Sequence, residues 1–98
     1  MRVSALKVKV KYFAEARELV NLHEEVIVLQ DMKVIDLIRM LATRHDKLKK
    51  YIFDTKTGNP WPYLQFMIDE HLVSNPDGLN ALLTRDCTFA IIPPIGGG

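Results

Sequence analysis

The sequence predicts an α+β fold, in which a mixed sheet packs against one main helix and is followed by a glycine tail. Three observations predict it. Leu6 to Tyr12 alternates strictly, with Leu6, Val8, Val10 and Tyr12 on one face and Lys7, Lys9 and Lys11 on the other, the signature of a half-buried strand. The period then changes, and Val34, Leu37, Ile38 and Leu41 recur at helical spacing. Finally, Cys87 to Ile92 is an apolar strand that runs into Pro93 and Pro94, where pairing must end for want of amide donors.

Taken in order, the first strand delivers Phe13 on its lysine side, at the edge of the core. Ala14 to Leu22 is a turn or short helical stretch. Glu24 to Gln30 is rich in β-branched residues and forms an antiparallel hairpin with the first strand. Asp31 is the expected cap of the main helix. Asp46 to Phe53 continues with Leu48, Tyr51 and Ile52 at helical spacing, a short second helix whose Lys47, Lys49 and Lys50 form an exposed face. Thr55 to Pro62 is loop, anchored on the core by Trp61 between two prolines. Tyr63 to Ile68 is a third strand and His71 to Ser74 a short fourth. Asp69 and Glu70 form the turn between them, which is poorer turn chemistry than Asn-Gly. Asn75 to Gly78 is a strong turn, and Leu79, Leu82 and Leu83 form an apolar bridge to the last strand. There Phe89 and Ile91 face the core, so Ile92 faces out at the root of the tail. The order is strand, strand, helix, strand, short strand, strand, with the first and last strands central and parallel. That is the β-grasp, or ubiquitin-like, arrangement.

Length and composition bound the function. The chain has 98 residues, which predicts one domain over 1–94 with a flexible tail over 95–98. A net charge of +1 supplies no global field to attract nucleic acid or a membrane. No stretch reads as a transmembrane helix or secretory signal, and a single cysteine fits a reducing compartment, so a cytoplasmic location is expected. His23, His45 and His71 have no metal-ligand spacing, and no metal site is expected. Cys87 reads as a small buried hydrophobe, and Glu24 and Glu25 point to opposite faces of a strand. No phosphate-cradling glycine motif is present. The chain is not expected to be an enzyme on its own.

The tail carries the chemistry. Gly96, Gly97 and Gly98 have no side chains to pack, so ordering them in the free protein costs more entropy than burial recovers. Ile95 to Gly98 reaches about 13–14 Å when extended. Such a tail can thread a narrow tunnel in a partner and present its carboxylate there. Terminal glycines alone are more simply read as a cloning residue or ordinary disorder than as functional. The Ile91-Ile92-Pro93-Pro94-Ile95 prefix, which ties them to a buried strand, favours the functional reading.

Val8-Lys9-Val10-Lys11-Tyr12-Phe13-Ala14-Glu15-Ala16-Arg17-Glu18-Leu19 resembles the opening strand and loop of the MoaD family, the small subunits of molybdopterin synthase. Val34-Ile35-Asp36-Leu37 resembles the start of that family's first helix. Phe89-Ala90-Ile91-Ile92-Pro93-Pro94-Ile95-Gly96-Gly97 resembles its C-terminal signature. The chain departs from the pattern in ending on three glycines rather than two, in carrying Lys33 where a small capping residue is usual, and in a longer 47–63 stretch. The resemblance implies a sulfur carrier that binds no cofactor itself. A MoeB-like adenylating enzyme would use ATP to activate the carboxylate of Gly98, with Gly97 completing the diglycine. A sulfur donor would then leave a thiocarboxylate, and a MoaE-like large subunit would receive the tail and build the molybdopterin dithiolene. Phe13, Ile92, Pro93, Pro94, Ile95 and Gly96 would be the partner-binding residues. Three alternatives stand beside this reading: a ubiquitin-like modifier joined to target lysines, a carrier for tRNA or thiamine thiolation, and an interaction domain whose glycines do no chemistry.

Overall fold

The alternation of the first strand decides where the core lies. β1 (Leu6–Tyr12) buries Leu6, Val8, Val10 and Tyr12 and turns its lysines to the opposite face. The computed structural model describes residues 5–93. The chain leaves β1 through Phe13, and Ala14 adopts a left-handed φ of 50°, which swings it directly into α1 (Ala14–Val20). β2 (Glu24–Leu29) returns antiparallel along β1, buries Ile27 and Leu29, and exposes the residues between them.

The entry to the main helix differs from expectation. Asp31 does not cap it. Met32–Lys33 forms a two-residue strand, β3, which pairs antiparallel with β6 (Leu82–Leu83), and Lys33 is the N-cap residue with no side-chain cap bond. The first helical amide is satisfied from outside, since Val34 N–H donates to the Ala81 carbonyl at 3.0 Å. A tertiary strand pair thus does the work of a local cap. α2 (Val34–Arg44) buries Val34, Leu37, Ile38, Leu41 and Ala42 against the sheet, and α3 (Leu48–Ile52) adds Leu48 and Ile52.

Trp61 anchors the following loop as expected. It is half-buried against the core and donates its indole N–H to the Lys50 carbonyl at 3.1 Å. β4 (Gln65–Ile68) begins two residues later than expected, because Pro62 and Tyr63 lie in a turn. β5 (His71–Val73) follows, then a 3-10 turn at Asp77–Asn80. Gly78 is needed there, since a Cβ would fall 2.8 Å from Val73 Cγ1. The expected apolar bridge is divided: Leu79 and Leu83 are buried, but Leu82 is 63% exposed because β6 presents its two side chains to opposite sides.

β7 (Cys87–Ile92) closes the five-stranded sheet at its centre, in the order β2-β1-β7-β4-β5. It runs parallel to β1 and antiparallel to β4, as the β-grasp arrangement requires. Phe89 and Ile91 are fully buried, and Phe89 stacks on Phe66 of β4 with ring centroids 5.9 Å apart.

The β4–β5 turn shows how the fold tolerates poor turn residues. Asp69 and Glu70 both take positive φ, 49° and 69°, as a two-residue hairpin demands. Asp69 is compensated: its carboxylate accepts the Thr88 N–H at 2.9 Å, and its own N–H donates to the Thr88 carbonyl at 2.9 Å. Glu70 makes no such bond among the described residues. Glu70→Gly should therefore stabilise the protein by about 0.5–1 kcal/mol, read as a higher urea midpoint at unchanged slope; a lower midpoint would show that the Glu70 side chain has a stabilising role.

Candidate functional site

Strand register brings the two ends of the sequence signal together. Tyr12 pairs with Ile91 and Gln65 with Ile92, so Phe13, at the start of α1, lies beside the end of β7. Arg17 holds this corner. Its guanidinium sits 5.7 Å from the Phe13 ring centroid, and its Nε donates to the Tyr12 carbonyl at 3.1 Å. On the sheet face away from α2, Lys11, Phe13, Met67, Ala90 and Ile92 line an open hollow of about 220 Å³, bordered by Glu70. One rung of the sheet runs across it, from Lys11 through Ala90 and Met67 to Leu72, which is 63% exposed.

The hollow is therefore an apolar floor with a cationic margin on β1. Lys7 and Lys9 are solvated, and Lys9 lies 3.7 Å from Glu24 in a half-exposed ion pair of little energetic weight. Lys11 is half-buried and belongs to the hollow itself. Pro93, also half-buried, continues from Ile92 at the same corner. Of the residues that the sequence singles out, the structure thus gathers Phe13, Ile92 and Pro93. Pro94, Ile95, Gly96, Gly97 and Gly98 lie outside the described residues, and so does the domain boundary expected at 94.

A second cluster was not legible in the sequence. Glu25 turns inward at the end of β2, where its Oε2 accepts the Tyr12 hydroxyl at 2.6 Å and meets His45 Nε2 at 2.5 Å. Its Oε1 accepts Arg44 Nε at 2.9 Å. Burial by itself pushes the Glu25 carboxyl up, but the three donors outweigh it and hold the group below its ordinary range. Burial and then Glu25 push the Tyr12 hydroxyl far up. The usable signal is parity: Val10 faces Glu25 in the hairpin, which puts that carboxylate on the core side. Its partners come from the end of α2, which no spacing rule could supply. The cluster ties β1, β2 and α2 together and faces away from the hollow.

Glu25→Gln removes a carboxylate that accepts three hydrogen bonds and should cost about 1–3 kcal/mol at pH 7. A group with a lowered folded-state pKa stabilises above its unfolded value and loses that contribution as pH falls through the folded one. The gap between wild type and variant should accordingly close on acidification below the ordinary value of 4.5, as denaturation midpoints across pH will show.

Cys87 is half-buried and packs against the core, and burial followed by the Asp69 carboxylate pushes its thiol up, away from nucleophilic character. Among the described residues no group of three His, Cys, Asp or Glu side chains is placed to hold a metal. No helix there is long and apolar enough to cross a membrane.

The ThiS family model matches residues 10–98, nearly the whole chain. The chain belongs to the ThiS family. Its structural likeness runs in the same direction. Small archaeal modifier protein 1 from Methanosarcina acetivorans is 28% identical over 97% of this chain and 99% of its own, with a TM-score of 0.82. A candidate molybdopterin converting factor subunit 1 from Pyrococcus furiosus is 30% identical over 92% of this chain and 99% of its own, with a TM-score of 0.71. Small archaeal modifier protein 1 from Haloferax volcanii, at 19% identity over 94% of this chain and 99% of its own, shares the fold with a TM-score of 0.80. A search of curated proteins finds no match. As a ThiS-family member, the chain is a small sulfur carrier or ubiquitin-like modifier, non-catalytic by itself, and the family implies an E1-like activating enzyme as its partner.

Proposed function

We propose that the chain is the sulfur-carrying small subunit of a molybdopterin synthase, working in the cytoplasm. The carrying observation is the path of β7. The central strand of the sheet ends at Ile92 and Pro93 beside the apolar hollow, and the sequence then continues into Ile95-Gly96-Gly97-Gly98. A partner seated on the hollow would have that glycine stretch within about 13–14 Å of its own active site.

The chemistry follows from the carboxylate. It is a poor acyl donor and needs activation. In the partner enzyme, a Gly98 carboxylate oxygen attacks the α-phosphorus of ATP, and pyrophosphate leaves. The product is an acyl-adenylate, a mixed anhydride. A sulfide-equivalent nucleophile from the sulfur donor then adds at the acyl carbon and expels AMP. The resulting thiocarboxylate is nucleophilic at neutral pH. In a MoaE-like large subunit, which supplies the catalytic groups, the sulfur bonds to a pterin precursor, and water then cleaves the acyl–sulfur bond and restores the Gly98 carboxylate. Phe13, Ile92, Pro93 and Pro94 form the docking corner in this scheme, while Ile95 and Gly96 line the entry to the tunnel.

The test supplies purified protein with the activating enzyme, ATP and a sulfur donor, then reads intact mass. The terminal peptide should gain the difference between sulfur and oxygen, and adding the large subunit with precursor should discharge it. A plain carboxylate under all these conditions would overturn the reading. A second reading, conjugation to target lysines, is favoured by the likeness to an archaeal modifier across nearly the whole chain. Lysine-linked conjugates in lysate without a thiocarboxylate would establish it. Within the first scheme, Ile92→Ala should weaken binding of the large subunit about tenfold or more by titration calorimetry, with little change in thermal midpoint because Ile92 is only half-buried.

A further inference from the structure

The hollow does not account for the opposite margin of the sheet, where β2 forms an edge. Tyr12 N–H donates to the His23 carbonyl at 2.9 Å, which sets the phase of the β1–β2 ladder. The odd-numbered residues of β2 exchange bonds with β1. The backbone groups of Glu24, Val26 and Val28 therefore point away from the sheet, and no backbone bond to them is recorded among the described residues. Their side chains lie on the solvent face, where Val26 is 54% and Val28 62% exposed. Natural edges are usually blunted by charge, proline or a bulge; on β2 the charges, Glu24 and the inward Glu25, stand only at its start, and residues 26–29 are uncharged, free of proline and paired in unbroken register.

We propose that this edge pairs with β2 of a second copy of the chain, antiparallel, about a two-fold axis at Ile27. Edge-facing residues can meet only edge-facing residues, which leaves two central registers. Val26 opposite Val26 would set Glu24 against Val28. Val26 opposite Val28 of the second copy instead sets valine on valine twice and Glu24 opposite Gln30. The second register leaves no charge on an apolar neighbour and is the one assigned. It places Lys9 beside Val26 and Lys7 beside Val28, with their stems along the four-valine cluster. The lysines of the two copies stand three strand spacings apart, about 14 Å, beyond the range of strong repulsion in physiological salt.

Two five-stranded sheets so joined form one of ten, with both hollows on the same face and both β7 ends clear of the joint. The second copy is the fitting occupant because the edge complements itself residue by residue. The buried area is small, so association belongs to the weak, transient class.

Sedimentation equilibrium and concentration-dependent amide shifts on the full chain test this. Wild type should associate as its concentration rises to about 1 mM, with shifts centred on Glu24, Val26 and Val28. Val26→Lys and Val28→Lys, exposed but opposite Lys9 and Lys7, should stay folded with at most a small fall in thermal midpoint and weaken association about tenfold or more. Leu72→Lys, on the other edge strand, should leave it unchanged. A wild type that stays monomeric throughout, lysine variants that associate normally, or a dimer dissolved by Leu72→Lys would each overturn the proposal.

Discussion

Under the proposed function, removing Gly97 and Gly98 should abolish activation by the adenylating enzyme and leave folding intact. Activation needs a carboxylate on backbone that carries no side chain, at the reach that the glycine stretch provides. Without the last two residues the carboxylate moves to Gly96 and falls about 7 Å short of its former position. Displacements of even about 1 Å at a reacting centre cost orders of magnitude, so the residual rate should be below detection in an ATP–pyrophosphate exchange assay. The fold should be indifferent, since every buried side chain among the described residues lies at or before Ile91. Unchanged thermal midpoint with no exchange is the expected pair of results. An interaction domain whose glycines do no chemistry would keep its partner binding and cellular activity after the same deletion.

Phe89→Ala should have the largest effect on stability, a loss of about 3–5 kcal/mol. Phe89 is completely buried on the central strand, between Val10 of β1 and Ile68 of β4, and stacks on Phe66. Its neighbours are held by ladders on both sides of β7, so they cannot collapse into the space left behind. A domain of this size has about 5–15 kcal/mol in total, and the variant would lose a large share of it. Urea denaturation should show the midpoint fall at constant slope. A loss under about 1 kcal/mol would mean that the sheet repacks around the cavity.

The two experiments separate the roles that β7 combines. The buried half of the strand supplies stability, and in the proposed scheme its exit leads to the chemistry. Pro93 marks the border between them, because it cannot donate to a ladder. Ile92 and Phe13 lie next to that border, at the hollow.

Several features were legible from the sequence alone because their causes are local. Alternation set β1 and its faces, helical spacing set the buried stripe of α2, and the switch between the two ordered the chain as a β-grasp. Other features depended on residues distant in sequence. Met32 and Lys33 became a strand, and Asp31 lost its cap role, only because Leu82 and Leu83 came alongside. Asp69 is tolerable in a left-handed turn because Thr88 lies across from it. Glu25 can point inward because Tyr12, His45 and Arg44 converge on it. Periodicity reports which face of an element is apolar, and that is enough to choose a fold. Which polar groups meet, and which strand is left as an edge, is decided when separate elements dock, because hydrogen bonds are short-ranged and need partners that only the tertiary structure can bring within 3 Å.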